Sequence, residues 1–424
     1  MNRRPTAKLG GYAGLAALGL LAGLVLERPE LVALAAPFAV LAALGLALAR
    51  PPEVAVELEL AAERVFEGEE LEPTLTVESR SGVADLELLL LVPAGLAAAD
   101  GSNATTLRLR RGERRELPVR LTVERWGGYL LGEVLFRARD PLGFVNWEGR
   151  LDDRQPLKAY PRPARVDELL QPLRTQVFSG NYVSRERGEG IEFADLRPFA
   201  PGDRVRRVNW RASARRGELW VNEYHPERNA DVVVFLDTFA EAAAERETTL
   251  DLSVRAASAF VGHYLRHKDR VGFVAFGGRL NWLQPRTGVA QLYRIVDALV
   301  DAEIVLNYAW SDVDVIPRQT LPPRSLIVAL SPLLDDRAVS ALLDLRGRGF
   351  DLAVVEVSPV PFAEPGRGER AEVAHRLWLL QRDALRVRFE RAGVAVGSWD
   401  TDTSLVGALE EVRSFRRSAV RARV

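Results

Sequence analysis

The sequence predicts a multidomain chain with a transmembrane helical hairpin, an all-β immunoglobulin-like sandwich and an α/β doubly wound domain. Two long apolar runs predict the hairpin, short runs of alternating apolar and polar residues predict the sandwich, and apolar strands alternating with amphipathic helices predict the last domain. At 424 residues the chain is long enough for two or three domains. We place these parts at residues 1–50, 53–160 and 231–424, with a polar segment and a linker at residues 161–230.

Each apolar run near the amino terminus has the length of a membrane-spanning helix. Leu9 to Leu26 and Leu31 to Ala49 both approach the ~20 residues that cross a bilayer. Basic residues flank the outer ends, so the positive-inside rule predicts a multi-pass anchor in the cytoplasmic membrane with the soluble domains facing the cytoplasm. A signal peptide and the buried hairpin of a soluble protein are the alternatives. The glycines expected to let the helices approach closely are Gly10, Gly11, Gly14, Gly19 and Gly23.

Short strands with period-two alternation fill the middle part. The first is EVAVELEL, which begins at Glu53, and Gly, Asp or Asn clusters separate those that follow. About seven strands at this spacing indicate an immunoglobulin-like sandwich, which we expect to be a binding or spacer module. The further strands are predicted at Glu72 to Glu78, Asp85 to Val92, Thr105 to Leu109, Glu116 to Glu124, Tyr129 to Ala138 and Phe144 to Trp147, with an exit linker from Tyr160.

Composition excludes several classes of site. The chain has no cysteine, which excludes disulfides, thiolate zinc sites and cysteine nucleophiles. The 57 basic and 58 acidic residues balance, so net charge says nothing about nucleic acid. We expect no nucleic-acid partner, because the arginine-rich residues 187–228 have mixed charges and aromatic residues at core-like positions. The sequence also lacks a Walker motif, a GxSxG motif and a dinucleotide fingerprint. His263 and His267 lie four apart on a predicted helix without the glutamate of HExxH, so an exposed helix face explains them better than a metal site.

Residues 187–228, here called the signature segment, combine many arginines with large apolar residues. Asp203 follows a Pro-Gly pair and is expected to cap a short helix that ends near Gly217. Leu219 to Tyr224 is expected to form a strand beside the first strand of the α/β domain. The aromatic residues, with Trp210 among them, are expected to pack into a core, so the segment would be an integral part of that domain.

Two interpretations of the arginines in the signature segment stay open. They form either ion pairs that brace the segment, with Arg206 pairing with Glu192 or Asp203, or a partner site. In the second case Arg197, Arg206 and Arg215 would hold carboxylates or phosphates, because the guanidinium group matches both in bidentate pairs.

The signature segment resembles a bacterial family known as domain of unknown function 58. The matching positions are Gly190, Glu192, Phe193, Leu196, Arg197, Pro201, Gly202, Asp203, Arg206, Trp210, Ala214 and Arg215. Phe199, Arg204 and Asn209 depart from the family pattern, which has Tyr, Asp and Asp there. The resemblance implies a von Willebrand factor A-like fold for residues 231–424 and work beside MoxR-type AAA+ ATPases. The residues expected to bind such a partner are Glu192, Arg197, Pro201, Gly202, Asp203, Arg206, Trp210 and Arg215.

The α/β domain places its candidate site at the carboxyl ends of its strands. The strands DVVVFLD, RVGFVAFGG, SLIVALS and DLAVVEVS end near Asp237, Gly277, Ser331 and Ser358, and ligands of such sheets bind at those ends. A fifth strand is expected in GVAVGSWD, and NWLQP is expected to add a hairpin strand. Predicted helices run from Thr248 to Arg266, Val289 to Ala302, Arg337 to Leu345 and Ala371 to Arg391, and a last one begins near Ser404.

The resemblance also implies a position for one divalent metal at the end of the first strand. Domains of that kind have Asp-x-Ser-x-Ser there, whereas this chain has Asp237, Phe239 and Glu241, with Thr287 where a threonine ligand would fall. Magnesium needs a nearly complete set of oxygen ligands. We therefore expect no cofactor and no tight metal site, with weak magnesium binding at Asp237, helped by Glu241 or Asp335, as the alternative.

These observations favour a membrane-anchored, non-enzymatic adaptor that resembles partners of MoxR-type AAA+ ATPases. Its expected partners are the lipid bilayer and such an ATPase. The alternative is a metal-assisted hydrolase that uses Asp237 and the signature carboxylates Glu192 and Asp203. A third possibility, an adhesion module facing outward, is disfavoured by the predicted topology.

Overall fold

The computed structural model describes residues 2–81, 83–101, 103–140, 142–166, 169–171, 182–183, 192–200, 203, 205–225, 227–228, 231–244, 247–304, 316, 321–323, 325–400 and 404–421. The chain divides into two compact units, Met1–Arg162 and Pro163–Val424. The predicted site residues Pro201 and Gly202 and the matching position Gly190 lie outside the described residues.

Two apolar helices, α1 (Ala7–Val25) and α2 (Pro29–Leu48), form the hairpin that the sequence predicts. Both are long and apolar enough to cross a membrane. A Cβ atom at Gly19 would overlap the Cβ of Ala35, so the helices approach closely there. Gly23 makes a similar approach to Val32. A Cβ atom at Gly10, Gly11 or Gly14 would have no neighbouring atom within 4 Å. Two of the five predicted glycines therefore make the close approach.

The base of the hairpin packs on the β part of the first unit. Thr6 caps α1 and its hydroxyl donates to the carbonyl oxygen of Gly143 at 2.8 Å. The ring of Tyr12 lies edge-on to Phe144, with 5.1 Å between the centroids. A Cβ atom at Gly45, near the end of α2, would overlap the same Phe144 ring. The outer ends of both helices therefore lie beside the same loop of the β part.

The β part of the first unit holds more strands than the sequence predicts. Its strands are β1 (Asn2–Pro5), β2 (Val54–Glu59), β3 (Arg64–Phe66), β4 (Glu70–Leu71), β5 (Thr74–Ser79), β6 (Val83–Leu90), β7 (Leu96–Ala98), β8 (Ala104–Leu109), β9 (Glu113–Pro118), β10 (Leu121–Val123), β11 (Gly127–Arg139) and β12 (Val145–Tyr160). One sheet has the order β1-β12-β11-β6-β8 with β3 on β12, a second β2-β5-β9 and a third β4-β10-β7. Leu58, Val77, Leu86, Leu121 and Leu157 lie in their shared core.

Three predictions for this part need correction. The single strand predicted from Glu116 to Glu124 is two strands in different sheets, β9 and β10. The strand predicted to end at Trp147 continues to Tyr160, because it pairs with β11 along most of its length. The basic residues before α1, predicted only as a membrane flank, form β1 and pair with the start of β12.

The second unit contains the α/β elements that the sequence predicts. Its elements are β13 (Tyr182–Val183), β14 (Glu192–Pro198), α3 (Trp210–Arg216), β15 (Trp220–His225), β16 (Glu227–Arg228), β17 (Asp231–Thr238), α4 (Thr249–Arg266), β18 (Arg270–Gly277), β19 (Asn281–Arg286), α5 (Val289–Val300), β20 (Leu326–Ser331), α6 (Asp336–Gly347), β21 (Asp351–Val357), α7 (Glu369–Arg391), β22 (Ala395–Trp399) and α8 (Leu405–Arg421). The main sheet has the order β19-β18-β17-β20-β21-β22, and all its pairings are parallel except that of the hairpin strand β19.

Both faces of this sheet are buried. Val233, Phe235 and Ile327 pack with residues of α6 and with Phe389 of α7. The alternate residues of β17, Val232 and Val234, are also fully buried and belong to the opposite face. Helices that cover both faces explain why these strands are apolar without alternation. The carboxyl ends of the strands are then the places where polar side chains can meet.

Candidate functional site

Asp237 lies at the carboxyl end of β17 and is only 2% exposed. Its neighbour is Ser331 at the end of β20, whose hydroxyl donates to Oδ2 of Asp237 at 2.5 Å. The backbone N–H of Phe239 donates to Oδ1 at 3.0 Å. Ser331 in turn accepts a hydrogen bond from the N–H of Leu333 at 2.9 Å. Both carboxyl oxygens of Asp237 thus already have donors within the protein.

Burial raises the pKa of the Asp237 carboxyl group to about 7, because the ionised form loses its hydration. The hydrogen bonds from Ser331 and Phe239 oppose that rise, since both stabilise the carboxylate. The negative charge of Asp335 raises the pKa and the positive charge of Arg337 lowers it. Asp237 therefore changes its charge near neutral pH inside a closed environment.

The positions that correspond to metal ligands do not fit a magnesium ion. Phe239 is buried, its ring meets Phe276 edge-on at 4.9 Å, and the Arg337 guanidinium lies 4.3 Å from its centre. Glu241 and Thr287 are exposed. An aromatic ring and a cation thus occupy space where a hard cation would need oxygen ligands. Among the described residues, no group of three or more His, Asp or Glu could hold a metal ion.

Arg337 is fixed by Asp335, which sequence reasoning considered only as a metal ligand. Its Nε and one terminal nitrogen donate to the two oxygens of Asp335 at 2.9 and 2.8 Å. The Arg337 guanidinium lowers the pKa of the Asp335 carboxyl group. This bidentate pair holds a positive charge over Phe239. Because the Asp335 carboxylate binds Arg337, it is not free to act as a metal ligand.

A second buried pair lies one strand further along the same edge, and sequence reasoning missed it. Arg382 of α7 donates to the carboxylate of Glu356, near the end of β21, and to the carbonyl oxygen of Pro332 at 2.7 Å. The two side chains are only 9% and 11% exposed. The signal was available, because Glu356 is the only charged residue inside the apolar run LAVVEV.

The signature segment folds differently from its prediction. Asp203 does not cap a helix; it binds Arg197 through two hydrogen bonds of 2.6 Å and accepts the N–H of Ala200 at 2.8 Å. The cap of α3 is Asn209, whose side chain accepts the N–H of Ala212 at 3.0 Å. The predicted end at Gly217 is confirmed, since its φ of 73° is the left-handed conformation that glycine favours.

The strand predicted beside β17 pairs elsewhere. β15 is antiparallel to β14, and Trp220 lies opposite Pro198 in that pair. The neighbours of β17 in the main sheet are β18 and β20. The start of β14 contains the backbone of Glu192, another predicted site residue. The expectation of an edge strand next to the sheet was therefore wrong.

Trp210 is 65% exposed, so the prediction that it packs into a core was wrong. Val205 and Leu219 are also exposed, as are Arg206 and Arg215. Among the apolar residues of this segment whose burial the structure describes, Val208 and Val221 are buried, and they pair in an isolated β-bridge. The exposed residues Val205, Arg206, Trp210, Arg215 and Leu219 of this segment are here called the Trp210 surface. Arg206 is therefore exposed. The carboxylate of Asp203, one of the two groups expected to bind Arg206, binds Arg197 instead.

The histidine pair on α4 forms a small contact of its own. The rings of His263 and His267 stack at 4.3 Å, and burial lowers the pKa of His263. His267 also contacts the backbone oxygen of His263 through Nδ1 at 2.9 Å. Both histidines are half-buried, so the expected exposed helix face was wrong, and their contacts with each other agree with a structural role on the helix.

Comparison with protein families identifies similarity over the second unit. The model of the family described as protein of unknown function DUF58 matches residues 195–395. The uncharacterized protein YeaD of Bacillus subtilis is 25% identical over 129 residues, which are 30% of this chain. The match spans 32% of that relative, about a third of its length.

Three solved structures resemble parts of the chain. They are a CARDB domain from Pyrococcus furiosus in complex with di-metal ions, a non-cellulosomal cohesin from Archaeoglobus fulgidus and the sporulation control protein Spo0M of Bacillus subtilis. Their identities are 14%, 13% and 16%, and they cover 26%, 23% and 25% of this chain. The matches cover 93%, 91% and 49% of those proteins, with TM-scores of 0.16, 0.17 and 0.15. Scores of this size carry no argument about fold or function.

Proposed function

We propose that this protein is a membrane-anchored, non-enzymatic adaptor whose Trp210 surface binds a protein partner. The partner class that we infer from the family resemblance is a MoxR-type AAA+ ATPase. The observation that carries the proposal is the exposed indole of Trp210. Trp210 is 65% exposed, and burial of its large apolar ring surface against a partner would be favourable because it removes that surface from water.

The chemistry of this surface suits protein recognition. Tryptophan and arginine are the residue types most enriched at binding hot spots. Arg206 and Arg215 are exposed near Trp210 in the chain and are able to bind carboxylates of a partner. Arg197 is already paired with Asp203, so it supports the loop rather than the contact. We expect a partner that presents an apolar pocket bordered by acidic residues.

The hydrolase alternative receives less support from the geometry. Asp237 is buried, and its two oxygens accept hydrogen bonds from Ser331 and Phe239. Asp203, one of the two signature carboxylates considered for the hydrolase, is bound by Arg197. A metal-assisted hydrolase needs carboxylates that are free to hold the ion and activate water.

The anchor and its orientation belong to the same proposal. α1 and α2 would span the cytoplasmic membrane, and the basic residues Arg3, Arg4, Lys8 and Arg50 would keep both outer ends in the cytoplasm. The packing of Thr6 and Gly45 on the β part supports a short hairpin whose two ends lie on one side. The soluble parts would then meet cytoplasmic partners.

The test is binding of a purified MoxR-type ATPase from the same organism to the full-length protein in detergent micelles. Trp210→Ala should weaken binding by about tenfold or more, as for a hot-spot residue. Trp282→Ala is the matched control, because Trp282 is also exposed, at 45%, but lies on β19 outside the Trp210 surface. Its substitution should leave the affinity for the ATPase unchanged. Equal affinity of wild type and Trp210→Ala would refute the assignment of the surface. Failure of the wild type to bind would refute the partner class.

A titration with magnesium separates the adaptor from the hydrolase. We expect no stoichiometric, submicromolar binding by calorimetry. Tight binding that disappears in Asp237→Ala would favour the hydrolase instead.

A further inference from the structure

Helix α7 (Glu369–Arg391) exposes one face along its whole length. Its opposite face packs on its own unit through Phe389, which is fully buried, and through Arg382, which binds Glu356. The exposed face carries Val373, Leu377, Leu380 and Val387, whose exposed fractions lie between 41% and 64%. Large apolar side chains on an otherwise charged helix have an unfavourable hydration free energy unless something covers them.

The spacing of these residues is that of a coiled-coil seam. Val373, Leu377, Leu380, Ala384 and Val387 follow one another at intervals of four, three, four and three residues. This is the heptad pattern in which Leu377 and Ala384 take position a and the other three take position d. Residues opposite such a seam take position f, and Phe389 and Arg382 both do. A second helix can therefore approach without displacing the contacts of α7 with its own unit.

We propose that α7 binds α7 of a second copy of this chain as a parallel, in-register two-helix coiled coil. The evidence for a second copy comes from charges beside the seam. In a parallel pair, each residue at position g faces position e of the next heptad of the partner helix. Asp383 at g then faces Arg388 of the second copy, and the same contact repeats by symmetry. The face of α7 is thus complementary to itself.

The flanking charges also select the parallel direction. In the parallel pair, the other two g positions, Arg376 and Glu369, face the neutral residues glutamine and alanine, so like charges do not meet. In the antiparallel pair that sets Leu377 against Leu380, position g faces position g, which brings Arg376 against Asp383 but also Glu369 against Glu390. An antiparallel pair shifted so that Leu380 meets Ala384 brings Arg376 against Glu390 but sets Asp383 against its own counterpart. In each antiparallel pair repulsion offsets attraction, so the parallel arrangement has the lower free energy.

Disulfide cross-linking tests the contact directly, because the chain has no cysteine of its own. Leu380→Cys and Val373→Cys in the full-length protein, oxidised in detergent micelles, should each give covalent dimers. In a parallel pair each seam residue meets its own counterpart, within the ~7 Å that a disulfide allows between Cα atoms. Val289→Cys on α5 is the control, since Val289 is apolar and 67% exposed. Cross-linking of Leu380→Cys no faster than that of the control would overturn the proposal.

A mixing experiment distinguishes the two directions. In the unshifted antiparallel pair Val373 would meet Ala384, eleven residues or about 16 Å along the helix from its own counterpart. Chains with Val373→Cys and chains with Ala384→Cys would then cross-link only when mixed, and that result would refute the parallel arrangement. Dimers of each variant alone support it.

A charge exchange tests the proposed ion pairs. Asp383→Arg places arginine against Arg388 twice in each dimer and should raise the dissociation constant about tenfold. Adding Arg388→Asp restores opposite charges and should restore the affinity. Light scattering in detergent measures both. A monomeric wild type, or a double variant no tighter than the single one, would contradict the proposal.

Discussion

Replacing Asp237 by asparagine should remove a pH dependence of stability that the buried carboxyl group creates. Its pKa is about 7 in the folded protein against an ordinary value of 3.8. Because the folded value is the higher one, the folded protein binds this proton more tightly than the unfolded chain does. The carboxyl group therefore stabilises the fold in its protonated form, and that contribution is lost as the pH rises from about 4 through about 7.

The size of the effect follows from the two pKa values. One pKa unit corresponds to about 1.4 kcal/mol, so the whole difference corresponds to roughly 4 kcal/mol. Between about pH 5 and about pH 8 the wild type should lose roughly 2–3 kcal/mol of unfolding free energy through this group. An asparagine side chain cannot ionise, so in Asp237→Asn that loss should be absent. Asp231, whose pKa burial also raises, titrates in both proteins and cancels in the comparison.

The assay is denaturant unfolding of residues 163–424, which form a compact unit, at several pH values. The free energy of unfolding of the wild type, taken relative to that of Asp237→Asn, should fall by roughly 2–3 kcal/mol between about pH 5 and about pH 8. Asp301→Asn, at an exposed carboxyl group away from α7, is the control and should follow the wild type. A difference between wild type and Asp237→Asn that stays constant across this range would refute the reasoning.

Three further changes test other parts of the structure. Arg382→Ala should destabilise residues 163–424 by ~3 kcal/mol or more, because it leaves the carboxylate of Glu356 buried without its partner. The double variant that adds Glu356→Ala should lose less unfolding free energy, and an equal loss would contradict a charge effect. Gly19→Leu should lower the melting temperature of the full-length protein in micelles, because a side chain there meets Ala35, whereas Gly11→Leu should not; similar melting would show that the close approach is unimportant. A reporter that is active only outside the cytoplasm should stay silent when fused after Val424; activity would reverse the proposed topology.

Local patterns predicted much of the architecture. The apolar runs before residue 50 determine two long helices, because their length and composition suffice without any partner. The strands and helices after residue 230 agree with their predictions to within a few residues, since their periodicity is strong. The short strands of the first unit were harder to predict. Whether such a segment forms a strand depends on the strands that it pairs with, and these lie far away in the chain.

Tertiary structure alone decided the candidate site. Arginine, tryptophan and aspartate in the signature segment were visible in the sequence, but whether Trp210 is buried depends on which residues pack around it. Asp203 was expected to cap a helix and instead binds Arg197, since a carboxylate takes the best donor that the fold brings near. The high pKa of Asp237 also arises only in the fold, where neighbouring strands exclude water from one carboxyl group. Sequence supplies the chemical groups, and long-range packing determines which of them meet.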